Sequence, residues 1–148
     1  MLFRSKLSDH FTLEELTYSD ISIRHHVDNR PSGDIVVNLT RLARLLEDVR
    51  ALFSKPIHIN SAYRSPEVNA LVGSKPTSQH CIGCAADITI NGLTPDQIVK
   101  VIQKSNIQYD QLIREFDSWV HISIPINDTV KPRHSTLIID KAGTRPYG

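Results

Sequence analysis

The segment Ala85-Ala86-Asp87-Ile88-Thr89-Ile90 constrains this chain most, because it sets a carboxylate inside a run that otherwise reads as a buried strand. An unpaired carboxylate in such a place is costly. The fold must therefore bring Asp87 a compensating partner. His80 lies seven residues earlier, on the polar loop Ser74 to Gly83, and the glycine and alanines between the two keep the turn tight. His121 sits in Trp119-Val120-His121-Ile122-Ser123, a second strand-like run. Two imidazole nitrogens and one carboxylate oxygen suit Zn²⁺, and three protein ligands leave a fourth tetrahedral position for water, as in catalytic zinc sites. Taken singly, each residue has a plainer reading: a histidine on a strand is usually just hydrogen-bonded, and an aspartate can start a turn.

Around this centre the patterns alternate between helix and strand. Thr12-Leu13-Glu14-Glu15 is a capping box opening a short helix to about Tyr18. Arg30-Pro31-Ser32-Gly33 reads as a loop. From Val37, the spacing of Leu39, Leu42, Leu45, Leu46, Val49 and Phe53 predicts a long helix that ends before Pro56. Ile57 to Ser61 alternates like a strand. Ser65-Pro66 starts a helix that stops at Gly73, and Thr94-Pro95-Asp96-Gln97 starts another that runs to about Lys104. Gln108 to Arg114 and Trp119 to Ile124 are predicted strands joined by a turn at Phe116-Asp117-Ser118. Thr136 to Ile139 adds an edge strand, and the tail 141–148 reads as irregular. Helices come first and most strands later, without regular βαβ alternation, which argues for an α+β fold with a mainly antiparallel sheet. The whole chain, 1–148, reads as one domain with its core at about 10–140.

A chain of 148 residues that is 40% hydrophobic has enough apolar material for a core without disulfide staples. A net charge of +1, with scattered basic residues, gives no electrostatic footprint for nucleic acid. No stretch approaches the roughly 20 apolar residues of a membrane span. The N-terminus shows no apolar leader region, so synthesis in the cytoplasm without a signal peptide is expected. Cys81 and Cys84 form a C-x-x-C pair. Redox and zinc readings of that spacing exist, but no second ligand pair follows, and small, semi-buried, reduced thiols are the expectation.

The pattern S-x-H-x-x-G-x-A-x-D over Ser78 to Asp87, followed by W-x-H at Trp119 to His121, resembles the M15 peptidases, the D-alanyl-D-alanine carboxypeptidase family. That group also holds D-Ala-D-Ala dipeptidases, phage endolysins and the hedgehog signalling domain. The start His10-Phe11-Thr12-Leu13-Glu14-Glu15-Leu16 is similar to that of its short phage and bacterial members. The likeness runs from about His10 to Ile124. It implies a hedgehog/DD-peptidase-like fold, with a sheet packed on helices and a zinc cleft, and it implies His80, Asp87 and His121 as the three zinc ligands. Ser61-Ala62-Tyr63-Arg64-Ser65 resembles the family's S-x-Y-R-S segment, which implies that Arg64 binds a substrate carboxylate or a developing oxyanion. Ser78 falls on a serine near the substrate, and Trp119 is expected as a wall of the pocket or part of the core.

The general base implied by the resemblance depends on the branch. The dipeptidases carry a glutamate three residues before the last zinc histidine, where this chain has Ser118. The hedgehog-like spacing of six falls on Glu115, with Asp117 as the fallback. A histidine that some branches place two before the ligand is Trp119 here. The resemblance thus implies a zinc peptidase acting on peptidoglycan stem peptides, either as a D-Ala-D-Ala carboxypeptidase or as an L-Ala-D-Glu endopeptidase. It would work as a monomer on the cell wall or in the periplasm, delivered through a holin-type partner. A non-catalytic zinc-containing binding module and a virion-associated entry protein are the alternatives.

Overall fold

The computed structural model describes residues 5–148. The first four residues of the stretch read for a leader, and the start of the single-domain span, lie outside the described residues. Three helices come first: α1 (Leu13–Thr17), α2 (Asp20–His25) and α3 (Gly33–Phe53). Then follow β1 (His58–Ser61), α4 (Pro66–Val72), a 3-10 turn at Gln79–Ile82, β2 (Ala85–Thr89) and α5 (Pro95–Gln103). Four strands close the chain: β3 (Gln111–Glu115), β4 (Trp119–Ser123), β5 (Ser135–Asp140) and β6 (Gly143–Pro146). The strands form one six-stranded sheet in the order β1-β2-β4-β3-β5-β6. All pairings are antiparallel except β3 with β5. The architecture is therefore the expected α+β with a mainly antiparallel sheet.

The register fixes which residues share a face. Asp87 pairs with His121, Ile113 with His121, and Glu115 with Trp119. Side chains alternate along strands, so these residues point to one side. Ala86, Ile88, Leu112, Val120 and Ile122 point to the other and are fully buried. They form one core with Leu39, Leu42, Leu46 and Val49 of α3 and with Ile98, Val99 and Ile102 of α5. Each large aliphatic chain buried there contributes roughly 2 kcal/mol. One face of the sheet thus holds the fold together and the other is left for chemistry.

Local signals explain most element ends. Ser65 Oγ accepts from Val68 N at 3.2 Å, Pro66 fills the first turn, and Gly73 ends α4 at φ 83°. Thr94 and Gln97 complete a reciprocal capping box on α5. Thr12 Oγ1 accepts from Glu15 N at 3.1 Å. α3 starts at Gly33, four residues before its apolar stripe. Its first turn is partly exposed, so periodicity does not mark it, and Asp34 complements the helix N-terminus. α2 went unpredicted because it buries none of its side chains.

The C-terminal end departs from expectation. β5 is not an edge strand, since β6 lies outside it. The tail expected to be irregular instead supplies β6, turned at Gly143 with φ 108°. All four β6 residues are exposed, so no apolar alternation announces the strand. Backbone pairing with β5 and the Arg145–Asp140 ion pair at 2.8 Å hold it.

Candidate active site

Three elements converge on the polar face of the sheet. His80 rides on the 3-10 turn, Asp87 on β2 and His121 on β4. His80 Nε2 lies 3.3 Å from Asp87 Oδ1, and His121 Nδ1 lies 3.1 Å from the same oxygen. The three donor atoms all lie within 4.8 Å of one another, and all three residues are buried. The imidazole rings meet edge-to-face at 5.2 Å.

The protonation of His80 follows from its other nitrogen. Nδ1 is 2.6 Å from the carbonyl of Ala62. A carbonyl can only accept, so Nδ1 carries the proton and donates. In the neutral ring, Nε2 then presents a lone pair toward the Asp87 carboxylate. At that distance Nε2 and the carboxylate take either a second ring proton or a metal ion between them. The spacings of 3.1 and 3.3 Å also match the edge of a tetrahedron with bonds of ~2.0 Å, which is ~3.3 Å. Two nitrogens and one oxygen therefore fit a divalent ion such as zinc. Burial opposes charge on Asp87, yet the imidazoles of His80 and His121 hold its carboxyl far below the usual carboxylate range.

The 3-10 turn is tightly specified. Ser78 Oγ accepts from His80 N at 3.2 Å and caps the turn. Gly83 ends it at φ 74°, and a Cβ there would lie 3.0 Å from Ile35 Cγ2 and 3.2 Å from Leu39 Cγ. Only glycine fits both the backbone and the contact with α3. Gln79 Nε2 donates to Asp110 Oδ2 at 3.0 Å and to the Ile124 carbonyl at 3.2 Å. Asp110 in turn receives Arg133 at 2.6 Å.

Glu115 ends β3 beside this cluster. Its Oε1 lies 3.9 Å from His121 Nδ1, and its Oε2 accepts the Trp119 indole N–H at 3.0 Å. Burial pushes the Glu115 carboxyl above its ordinary range and Asp87 adds to the push, while His121, Trp119 and Arg64 offset part of it. Trp119, expected as a wall, thus also orients a carboxylate. Asp117, the fallback base, instead pairs with Arg114 Nε at 2.9 Å and is largely exposed.

Arg64 follows β1 at the opposite end of the cluster. Its backbone N–H donates to the His80 carbonyl at 3.1 Å. Its guanidinium is buried enough to lower its pKa, and it feels the charges of Asp87 and Glu115. Among the described residues, Arg64 Nε has no hydrogen-bond partner. A buried donor without a partner marks a place for an acceptor. The loop carrying Arg64 is clamped by Asn29, which sequence reasoning missed. Asn29 Oδ1 accepts from Ser65 N at 2.7 Å, and Nδ2 donates to the carbonyls of Thr17 at 2.8 Å and Tyr63 at 3.2 Å. Nothing in the polar stretch Asp28-Asn29-Arg30 marks that amide as buried.

Cys81 and Cys84 are free thiols, and burial pushes both upward from the usual thiol range. A raised thiol disfavours the thiolate that redox or metal chemistry requires. Among the described residues, the metal-competent group is His80, Asp87 and His121, and no helix is long and apolar enough to cross a membrane.

The family described as Peptidase M15 matches residues 9–123, more than half of the chain. No curated protein matches it.

Proposed function

Because the chain belongs to the peptidase M15 family, we propose that it is a zinc metallopeptidase that hydrolyses the stem peptide of bacterial peptidoglycan. The observation that carries this reading is the convergence of His80 Nε2, Asp87 Oδ1 and His121 Nδ1 beside the protonatable carboxylate of Glu115. His80, Asp87 and His121 would hold the ion. When bound, it supplies Lewis acidity that activates water and polarises a carbonyl oxygen.

The chain's own residues do the rest. Glu115 accepts the proton of the attacking water at Oε1 and returns it to the leaving amine. Trp119 holds Oε2, which leaves Oε1 turned to the cluster. The raised pKa of Glu115 makes it a better proton acceptor than an ordinary surface carboxylate and a ready donor afterwards. Arg64, a half-buried residue, offers its guanidinium to a substrate carboxylate or to oxygen charge that develops in the reaction. Two carboxylates, one guanidinium and a divalent ion leave the site with a single net positive charge, which favours an anionic peptide end. Ser78 serves by capping the His80 turn.

The retained Glu115 favours catalysis over a purely binding role. The test is incubation of the zinc-loaded protein with purified peptidoglycan, followed by mass spectrometry of the released fragments. Loss of a terminal D-alanine identifies a carboxypeptidase, and a cut after L-alanine identifies an endopeptidase. Absence of any zinc-dependent fragment defeats the reading.

A further inference from the structure

Phe116 sits at a place where a large apolar side chain is doubly unfavourable. Its φ is 52°, and Asp117 after it has 51°; neither is glycine. A bulky residue rarely adopts that backbone region. The residue is also half exposed to water. The turn is not loose: Phe116 N donates to the Ile139 carbonyl at 2.8 Å, Ser118 N to the Glu115 carbonyl at 2.9 Å, and Ser118 Oγ to the Phe116 carbonyl at 3.1 Å. Strained residues that their surroundings hold in place cluster at functional sites.

The neighbours of Phe116 say which site this is. Its ring centroid is 6.4 Å from that of Trp119, tilted by 48°. Trp119 donates to Glu115, and Glu115 reaches the cation cluster. The strand order β1-β2-β4-β3 then sets a sequence across the sheet. Arg64 follows β1, Asp87 lies on β2, His121 on β4, Glu115 on β3, and Phe116 follows it.

The geometry points to Phe116, together with Trp119, as an aromatic subsite for the part of the substrate on the amino side of the reacting bond, opposite Arg64. This rests on the peptidase reading above. The substrate it selects is a peptide extended on the amino side of the cut, rather than a dipeptide. Phe116 takes no part in the proton transfer; it contributes binding remote from the reacting atoms.

The experiment compares F116A and F116G with the parent protein on two peptides that share the reacting bond, one a dipeptide and one extended on the amino side. The expected result is a KM raised about three- to tenfold for the long peptide, with kcat, the pH profile and the dipeptide kinetics unchanged. F116G removes the backbone strain along with the ring, so it keeps the comparison open should F116A fold poorly, and F116Y should restore the KM. Trp119 is the only tryptophan in the chain, so its fluorescence in the E115Q background reads peptide occupancy directly and should show the same loss of affinity. Equal KM values for the long peptide in all variants overturn the assignment. A shifted pH profile in F116A also overturns it, because Phe116 would then act through Trp119 on Glu115. A parent protein that neither cleaves nor binds either peptide defeats the peptidase reading itself, and the subsite with it.

Discussion

Trp119 Nε1 donates to Glu115 Oε2 at 3.0 Å, while the other oxygen of the same carboxylate stays 3.9 Å from His121 Nδ1. The indole therefore fixes the direction of Glu115 and offsets part of the rise in its pKa. Its hydrogen bond is one of the influences that lower a pKa which burial otherwise raises. W119F keeps an aromatic ring and removes the donor. The Glu115 carboxyl should rise further, so the acidic limb of kcat/KM moves to higher pH, because the carboxylate must be ionised to accept a proton. Loss of one hydrogen bond to a charged group should reduce kcat/KM about tenfold near neutrality. A profile measured from pH 4 to 9 checks this, and an unmoved limb would reduce Trp119 to a wall.

Metal binding and proton transfer reside in different residues, so they should separate on mutation. E115Q should bind zinc normally, measured by calorimetry, and lose about 10²–10⁴-fold in kcat. H80A, D87N and H121A should lose both zinc and turnover. Zinc at about a hundredfold over its Kd should stabilise the parent by about 2.7 kcal/mol, or roughly 6–12 °C in Tm at this length. Chelation should reverse that shift in the parent and in E115Q, and D87N should show none. Near-normal hydrolysis by E115Q would remove the base assignment while leaving the metal site intact.

The sequence carried the parts of this site that depend on local pattern. A carboxylate in the apolar run around Asp87 had to have partners, and the two histidines that reach it lie in recognisable segments. α4 and α5 were legible because Ser65-Pro66, Gly73 and the Thr94/Gln97 box act within a few residues. What was not legible acts over distance. Asn29 and Arg64 are 35 positions apart and are joined only by the backbone groups of Tyr63 and Ser65. β6 exists because β5 offers it a ladder, with no apolar alternation of its own. Trp119 read as a wall because an indole N–H bond to a residue across a hairpin needs the register Glu115↔Trp119 to be known.

Asn29 should prove to be a positioning residue for Arg64. N29D keeps the acceptor for Ser65 N but turns the second oxygen toward the carbonyls of Thr17 and Tyr63, which only accept. A stability loss of about 2 kcal/mol is expected from the unpaired groups. A structural defect alone would affect all substrates alike. Displacement of Arg64 should instead raise KM about tenfold for peptides with a free terminal carboxylate and leave peptides amidated at that end unchanged. Equal effects on both would remove Asn29 from the site.

Asp110 links the His80 turn to the segment before β5, and its contribution should depend on pH in a defined sense. Arg133 donates to it at 2.6 Å, Gln79 donates at 3.0 Å, and the Arg133 hydrogen bonds hold its carboxyl below the usual range despite burial. A carboxyl with a lower pKa in the folded than in the unfolded chain stabilises the fold at every pH above the unfolded value of about 3.9. That contribution fades as the pH falls through the folded value. D110N should therefore be less stable than the parent at neutral pH by roughly 1–2 kcal/mol, a figure kept low because the Arg133 side chain is 59% exposed. The difference in Tm should hold from pH 7 to 5 and close below pH ~4. Because Gln79 precedes His80 in the same turn, D110N should also bind zinc more weakly at neutral pH. A stability gap that persisted in acid would mean that Asp110 acts through shape rather than charge.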